Sequence, residues 1–312
     1  VKQPPPTETK LVQVVEEVKD IEFLPEQKRF RKSGILKSLA PTCLVVSPDE
    51  RYVYVCVGGD VVMLDRGLKL VNAFRSTTDK CRIESVSPSA DGRFVAGITN
   101  GQKCYWWDNT SGQGIITNNP DSYRIKHACA SEQYLIIASD TINEVLVWNP
   151  RIGEIVKRLE TDSNVRAMKI DGNMLIVATR KSCSTFDFTS SGELQKTIVF
   201  AKMPFKVRIG CNDNSLTMVS DTRVVSVIQD VTDPNSRVWT HDFGANTNVH
   251  GAFAKGKVMV LFIGGEGMHI VVDENLKDAR RVKDITASEV AEGNGVYDFF
   301  YDNSVVMCSE NK

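Results

Sequence analysis

The stretch RIKHACASEQYLIIASDTINEVLVWNPRIGEIVKRL, residues 124–159, decides the fold. It holds four short runs rich in Ile, Val, Leu, Tyr and Trp, separated by clusters of Ser, Asp, Asn, Pro and Gly. Runs of that length and composition, bounded by turn formers and lacking a sustained 3.6-residue period, read as β-strands. Similar text lies on both sides. Upstream stand CLVVSPDERYVYVCVGGDVVMLDRGLKLVNAF (43–74) and RIESVSPSADGRFVAGITNGQKCYWWDNTSGQGII (82–116). Downstream follow RAMKIDGNMLIVATRKSCSTFDFTSSGELQKTI (166–198), VRIGCNDNSLTMVSDTRVVSVI (207–228) and VHGAFAKGKVMVLFIGGEGMHIVV (249–272). A repeat near 42 residues, four strands to each unit, is the mark of β-propeller blades. A chain of 312 residues holds about seven such units, so the expectation is an all-β, seven-bladed β-propeller.

The two ends qualify that picture. VKQPPPTET (1–9) is Pro-rich and polar and reads as a linker or tail. The final unit, GVYDFFYDNSVVMCSENK, supplies only two strands. A closed propeller leaves no open edge, so the missing strands are expected from residues 10–40, where LVQVVEEV and SGILKSLA are the candidates. The domain reading is therefore a single propeller over 10–312, with the blades beginning at about residue 40.

Arginine recurs at the repeat period: Arg82, Arg124, Arg166 and Arg208 are each 42 residues apart. The next steps of the series give His250 and, in the seventh unit, Tyr297. Each stands at the opening of a first strand, the strand that lines the channel in a propeller. Side chains two apart share a face, which adds Lys126, Lys206 and the acid Glu84. Several cations drawn together at a half-buried mouth repel one another unless an anion joins them. Arg forks onto phosphate, and a charge-assisted hydrogen bond contributes about 1.5–3 kcal/mol. The alternative is a ring of local ion pairs, since Asp79, Asp121 and Asp162 precede three of the arginines by three or four residues.

SPDERYVYV and SADGRFVAG, the Trp107-Asp108 pair, and Trp148 with Gly153 resemble the turn and strand signatures of the WD-repeat family. The likeness spans roughly residues 40–312 and lacks that family's Gly-His pair. VRAM and VRIG resemble the strand openings of F-box WD-repeat proteins, whose rim arginines bind the phosphate of a phosphorylated degron. The resemblance implies a phosphoserine or phosphothreonine peptide as partner, with Arg82, Arg124, Arg166 and Arg208 as the matched residues. Two further readings stand beside it: a constitutive scaffold subunit binding other subunits of a complex through its blade sides, and an inositol-phosphate or phosphoinositide sensor using the same mouth.

Composition narrows the remaining classes. A formal net charge of −1 supplies no field toward nucleic acid, and no apolar run reaches the roughly 18 residues of a membrane span. Eight cysteines form no C-x-x-C pair and sit mostly in apolar runs, where they act as small hydrophobes. That favours a cytoplasmic or nuclear setting. Four histidines show no metal-ligand spacing, and no phosphate loop or nucleophile elbow is present. No cofactor, metal or enzymatic activity is expected.

Overall fold

The computed structural model describes residues 8–10, 41–76, 81–100, 103–111, 114–117, 124–189, 194–210, 214–221, 223–244, 248–255, 258–263, 267–272, 279–281, 296–299 and 305–308. Every regular element among them is a strand. After β1 (Glu8–Lys10), the chain runs through consecutive antiparallel sheets whose strands pair in sequence order. The first holds β2 (Pro41–Val46), β3 (Tyr52–Val57), β4 (Asp60–Asp65) and β5 (Leu70–Arg75). The second holds β6 (Ile83–Pro88), β7 (Phe94–Thr99), β8 (Cys104–Asp108) and β9 (Gly114–Thr117). The third holds β10 (Ile125–Ala130), β11 (Leu135–Ser139), β12 (Glu144–Asn149) and β13 (Glu154–Glu160). Next come β14 (Ala167–Asp171), β15 (Met174–Ala178), β16 (Ser182–Asp187) and β17 (Leu194–Val199), then β18 (Lys206–Ile209), β19 (Leu216–Ser220), β20 (Val224–Ile228) and β21 (Val238–Asp242). The chain ends with β22 (Val249–Lys255), β23 (Val258–Ile263), β24 (Gly267–Val272) and β25 (Ala279–Arg281), followed by the pair β26 (Val296–Phe299) and β27 (Val305–Cys308).

This is a β-propeller arrangement, but with five four-stranded blades among the described residues rather than the seven expected. The sheet of β14–β17 carries β1 as a fifth strand, and the last sheet has two strands. β1 runs parallel to β17, with Thr9 opposite Ile198. Residues 8–10 thus form an edge strand of that sheet, while the expected closing strands of 11–40 lie outside the described residues. β26 lies beside β2, so the last sheet meets the first.

The sheets stack face to face, which explains why their middle strands are apolar on both faces rather than alternating. In β3, five of six residues are buried; in β11 all five are. Tyr54, Met63 and Phe74 of the first sheet meet Val95, Tyr105 and Trp107 of the second. Phe94 and Trp106 on the opposite side of the second sheet meet Leu135 and Trp148 of the third. Corresponding clusters join the third sheet to the β14–β17 sheet and that one to the β18–β21 sheet. Each interface is one layer of a continuous core, and the first strands are left to face inward.

Candidate functional site

The inner strands enclose a cavity of about 600 Å³ lined by residues of β2, β6, β10, β14, β18, β19 and β22. Lys126, Arg166, Lys206 and Arg208 are on its wall, together with His127 and Phe205. Arg82 and Arg124 are not. Both are exposed.

The reason is register. Each first strand is anchored by one buried apolar residue at its start: Ile83 is 0%, Ile125 3% and Val165 1% exposed. In β10, Ile125 opposes Ser139 and His127 opposes Ala138, so Lys126 is the extra residue of a bulge. β6 repeats this, with Glu84 between Ile83 and Ser85. The β14–β15 pair has no bulge: Val165 is the anchor, and Arg166 donates its backbone N–H to Ala178 O (2.7 Å) just ahead of the Ala167–Ala178 pair. Arg166 therefore corresponds to Lys126 and Glu84, not to Arg124 and Arg82. The spacing between anchors is 42 residues from Ile83 to Ile125 but 40 from Ile125 to Val165. The exact arginine period straddles that change and merges three levels. Arg82 and Arg124 precede their anchors and Arg166 follows its own, whereas in the β18 sheet Pro204 is the buried residue, Phe205 donates its N–H to Val219 O (3.0 Å) as Arg166 does to Ala178, and Arg208 lies three residues further along the strand, opposite Thr217. The inner level runs Glu84, Lys126, Arg166, Phe205 and His250, with Arg208 deeper along β18; the side chains of His250 and Tyr297 lie outside the described residues.

Local pairing accounts for part of this charge. Lys126 Nζ is 3.5 Å from Glu84 Oε2, and Arg124 Nε is 4.0 Å from Asp140 Oδ2. Asp162 does not meet Arg166. It accepts hydrogen bonds from Thr179 Oγ1 and Ser182 Oγ, both at 2.7 Å, and so fastens a loop of its own sheet. Asp79 and Asp121 lie outside the described residues. Arg82 has no ion pair among the described residues; its backbone N–H donates to Asn100 Oδ1 (3.1 Å).

Arg166 is the least satisfied of the cations. Its Nε is buried and has no hydrogen-bond partner among the described residues, and Asp140 Oδ1 is in the same condition. Burial, then the charge of Arg180, pulls the Arg166 guanidinium down from its ordinary value, with Asp140 opposing. Burial also lowers the Lys206 ammonium. His127 is pushed down to about 4, mainly by burial, with Arg166 and Lys126 adding and a hydrogen bond to the Val165 backbone opposing. The imidazole is therefore neutral near pH 7 and serves the mouth as a dipole. Sequence reasoning missed His127 and Phe205. Phe205 had a signal, an exposed aromatic in the basic segment KMPFKVR; His127 had none beyond lying beside Lys126.

The mouth thus gathers four cations and one histidine around one cavity, with Glu84 and Asp140 as the nearby acids. Such an arrangement can hold an anion by charge and by guanidinium hydrogen bonds. Among the described residues no cluster of three metal-ligating side chains occurs, and no helix is long and apolar enough to cross a membrane. No protein-family model matches the chain, and no curated protein matches it either.

Proposed function

We propose that this protein is an interaction module of WD-repeat type that recognises an anionic motif at the mouth of its channel, foremost a phosphoserine or phosphothreonine in an extended peptide. Arg166 and Arg208 fork the phosphoryl oxygens, Lys206 supplies attraction from the rim, and Lys126 contributes in proportion to how far it leaves Glu84. The observation that carries this reading is Arg166: a half-buried side chain whose Nε is withdrawn from solvent and unpartnered, on the wall of a cavity shared with three other cations. A half-buried cation with an unpartnered, buried nitrogen carries a cost that a ligand anion reduces. The ring counts seven blades in this reading, with the β1-bearing sheet and the β26–β27 pair as two of them. The partner sits in a cytoplasmic or nuclear setting.

The test is titration of the purified protein with a degenerate phosphopeptide library and its unphosphorylated twin, at two salt concentrations. The expected result is phosphate-dependent binding that weakens with salt and is lost in Arg166→Glu and Arg208→Glu. Equal, negligible binding to both libraries would overturn it and favour a scaffold that engages its partners through the blade sides. Binding that follows inositol phosphates but ignores residues flanking the phosphate would assign the same mouth to a small-molecule ligand.

A further inference from the structure

Cys43 and Cys56 stand directly opposite each other in the antiparallel pair β2–β3. It is the one place among the described strand registers where two cysteines oppose each other. Opposed residues of an antiparallel pair have Cα atoms about 4.5–5.5 Å apart, inside the about 4.4–6.8 Å that a disulfide spans. The side chains already meet, for Cys56 shares a hydrogen bond with Cys43. Their surroundings differ. Cys56 is fully buried between the first and second sheets, whereas Cys43 is half-buried and lies on the wall of the cation-lined cavity.

We propose that Cys43 and Cys56 are an oxidisable dithiol, a modification site on the channel wall that a hydroperoxide converts to a cross-strand disulfide. Cys43 is the thiol a solute can reach. Lys126, Arg166, Lys206 and Arg208 line the same cavity, and a positive field favours the thiolate, which is the reactive form. Cys56 stays protonated, first through its hydrogen bond to Cys43 and second through burial, and so acts as the resolving partner. The Cys43 thiolate attacks one peroxide oxygen, the O–O bond breaks, and a sulfenic acid and hydroxide form. The Cys56 sulfur then attacks the Cys43 sulfur, the S–O bond breaks, and hydroxide leaves with the Cys56 proton as water. Two thiols have lost two electrons and two protons, and the peroxide has become two waters. The site is independent of the phosphopeptide reading. Cys104 and Cys183 are buried in other sheets, and Cys129 donates its S–H to Met168 O (3.3 Å), which makes them internal controls.

Peptide mapping tests this. The full-length protein is treated with hydrogen peroxide, alkylated with iodoacetamide and digested with trypsin without reduction. Arg51 lies between the two cysteines, so cleavage there places them on separate peptides, SLAPTCLVVSPDER and YVYVCVGGDVVMLDR. The expected product is these two peptides joined, two hydrogens lighter than their sum and separated again by dithiothreitol. In Cys43→Ala the joined product is absent and Cys56 remains a thiol. In Cys56→Ala, Cys43 proceeds to the sulfinic acid, with no resolving partner. The proposal is overturned if, in the wild-type protein, Cys43 becomes sulfinic acid while Cys56 stays alkylatable, if Cys43 joins another cysteine, or if neither residue changes before the buried controls do. The wild-type map decides the matter even if the Cys56 variant fails to fold.

Discussion

Glu50 and Gly92 occupy the same place in two successive turns, and both have positive φ, 59° and 69°. The turns are built alike. Ser47 Oγ donates to Asp49 Oδ1 and Ser89 Oγ to Asp91 Oδ1, each at 2.5 Å, and each serine Oγ accepts the N–H of the aromatic residue that follows, Tyr52 or Phe94. Only glycine adopts that backbone without a Cβ penalty. Glu50→Gly should therefore stabilise the protein by about 1 kcal/mol, read as a raised urea midpoint at unchanged slope; an unchanged or lowered midpoint refutes the strain. His127 carries a pH prediction. It titrates at about 4 in the folded state against an ordinary 6.5. Below 6.5 the unfolded chain takes up a proton that the folded chain refuses, so stability falls as pH drops toward 4. His127→Gln should flatten that fall, measured as the difference in urea midpoint between pH 7 and pH 5. The site itself was half legible at this scale. "VRAM" places Arg after a buried apolar anchor and "CRIES" and "YRIKH" place it before one, while in "PFKVRIG" the buried residue is Pro204 and Arg208 stands four residues beyond it. The exact 42-residue period hid that difference, because a two-residue shortening between the third and fourth units restored the arithmetic but not the level.

Strand rhythm was the most legible feature, since two-sided burial makes each blade's middle strands continuous apolar runs bounded by turns. The bulges were not legible, since an extra residue at Glu84 or Lys126 leaves no mark in a pattern of apolar positions. Nor was β1, a three-residue edge strand whose pairing with β17 is a long-range choice that local sequence does not encode. Trp107 shows how tightly the second sheet is built. A Cβ on Gly97 or on Gly114 would stand 2.4 Å from the Trp107 ring, from β7 and β9 on either side of β8. Gly97→Ala must move the indole from its stack on Tyr105 (centroids 5.1 Å apart) and should cost about 1–3 kcal/mol. A thermal melt and near-UV circular dichroism check this, and an unchanged melt would mean the ring is free to shift. Asp162 acts at the same scale. The hydroxyls of Thr179 and Ser182 tie it, and with it the loop ahead of β14, to β16, so Asp162→Ala should destabilise by about 2 kcal/mol while leaving anion affinity unchanged. A parallel loss of affinity would restore the local ion-pair reading of Arg166.

Across the whole molecule the charge is nearly balanced, 38 Lys and Arg against 39 Asp and Glu, so attraction for an anion must come from local placement. The inner strands supply it by bringing Lys126, Arg166, Lys206 and Arg208 from three adjacent sheets to one cavity. The outer pair, Arg82 and Arg124, faces solvent, where screening weakens a charge within about 10 Å at ordinary salt. Within the inner level, Glu84 holds Lys126 at 3.5 Å and opposes any incoming anion. Glu84→Gln frees that ammonium and removes the opposing charge, with no change in side-chain size. The affinity for a phosphopeptide should rise by about three- to tenfold at low salt and by less at high salt. Arg82→Ala and Arg124→Ala should change affinity less than about twofold, because their charges act from the screened level. Isothermal titration of the three variants against one phosphopeptide separates the two levels. If Arg124→Ala weakens binding as strongly as Arg166→Ala, the ligand spans the whole rim and the arginine period, not the buried anchors, defines the site. If Glu84→Gln changes nothing, Lys126 is held away from the ligand by the wall itself, and Arg166 and Arg208 carry the recognition with Lys206 alone.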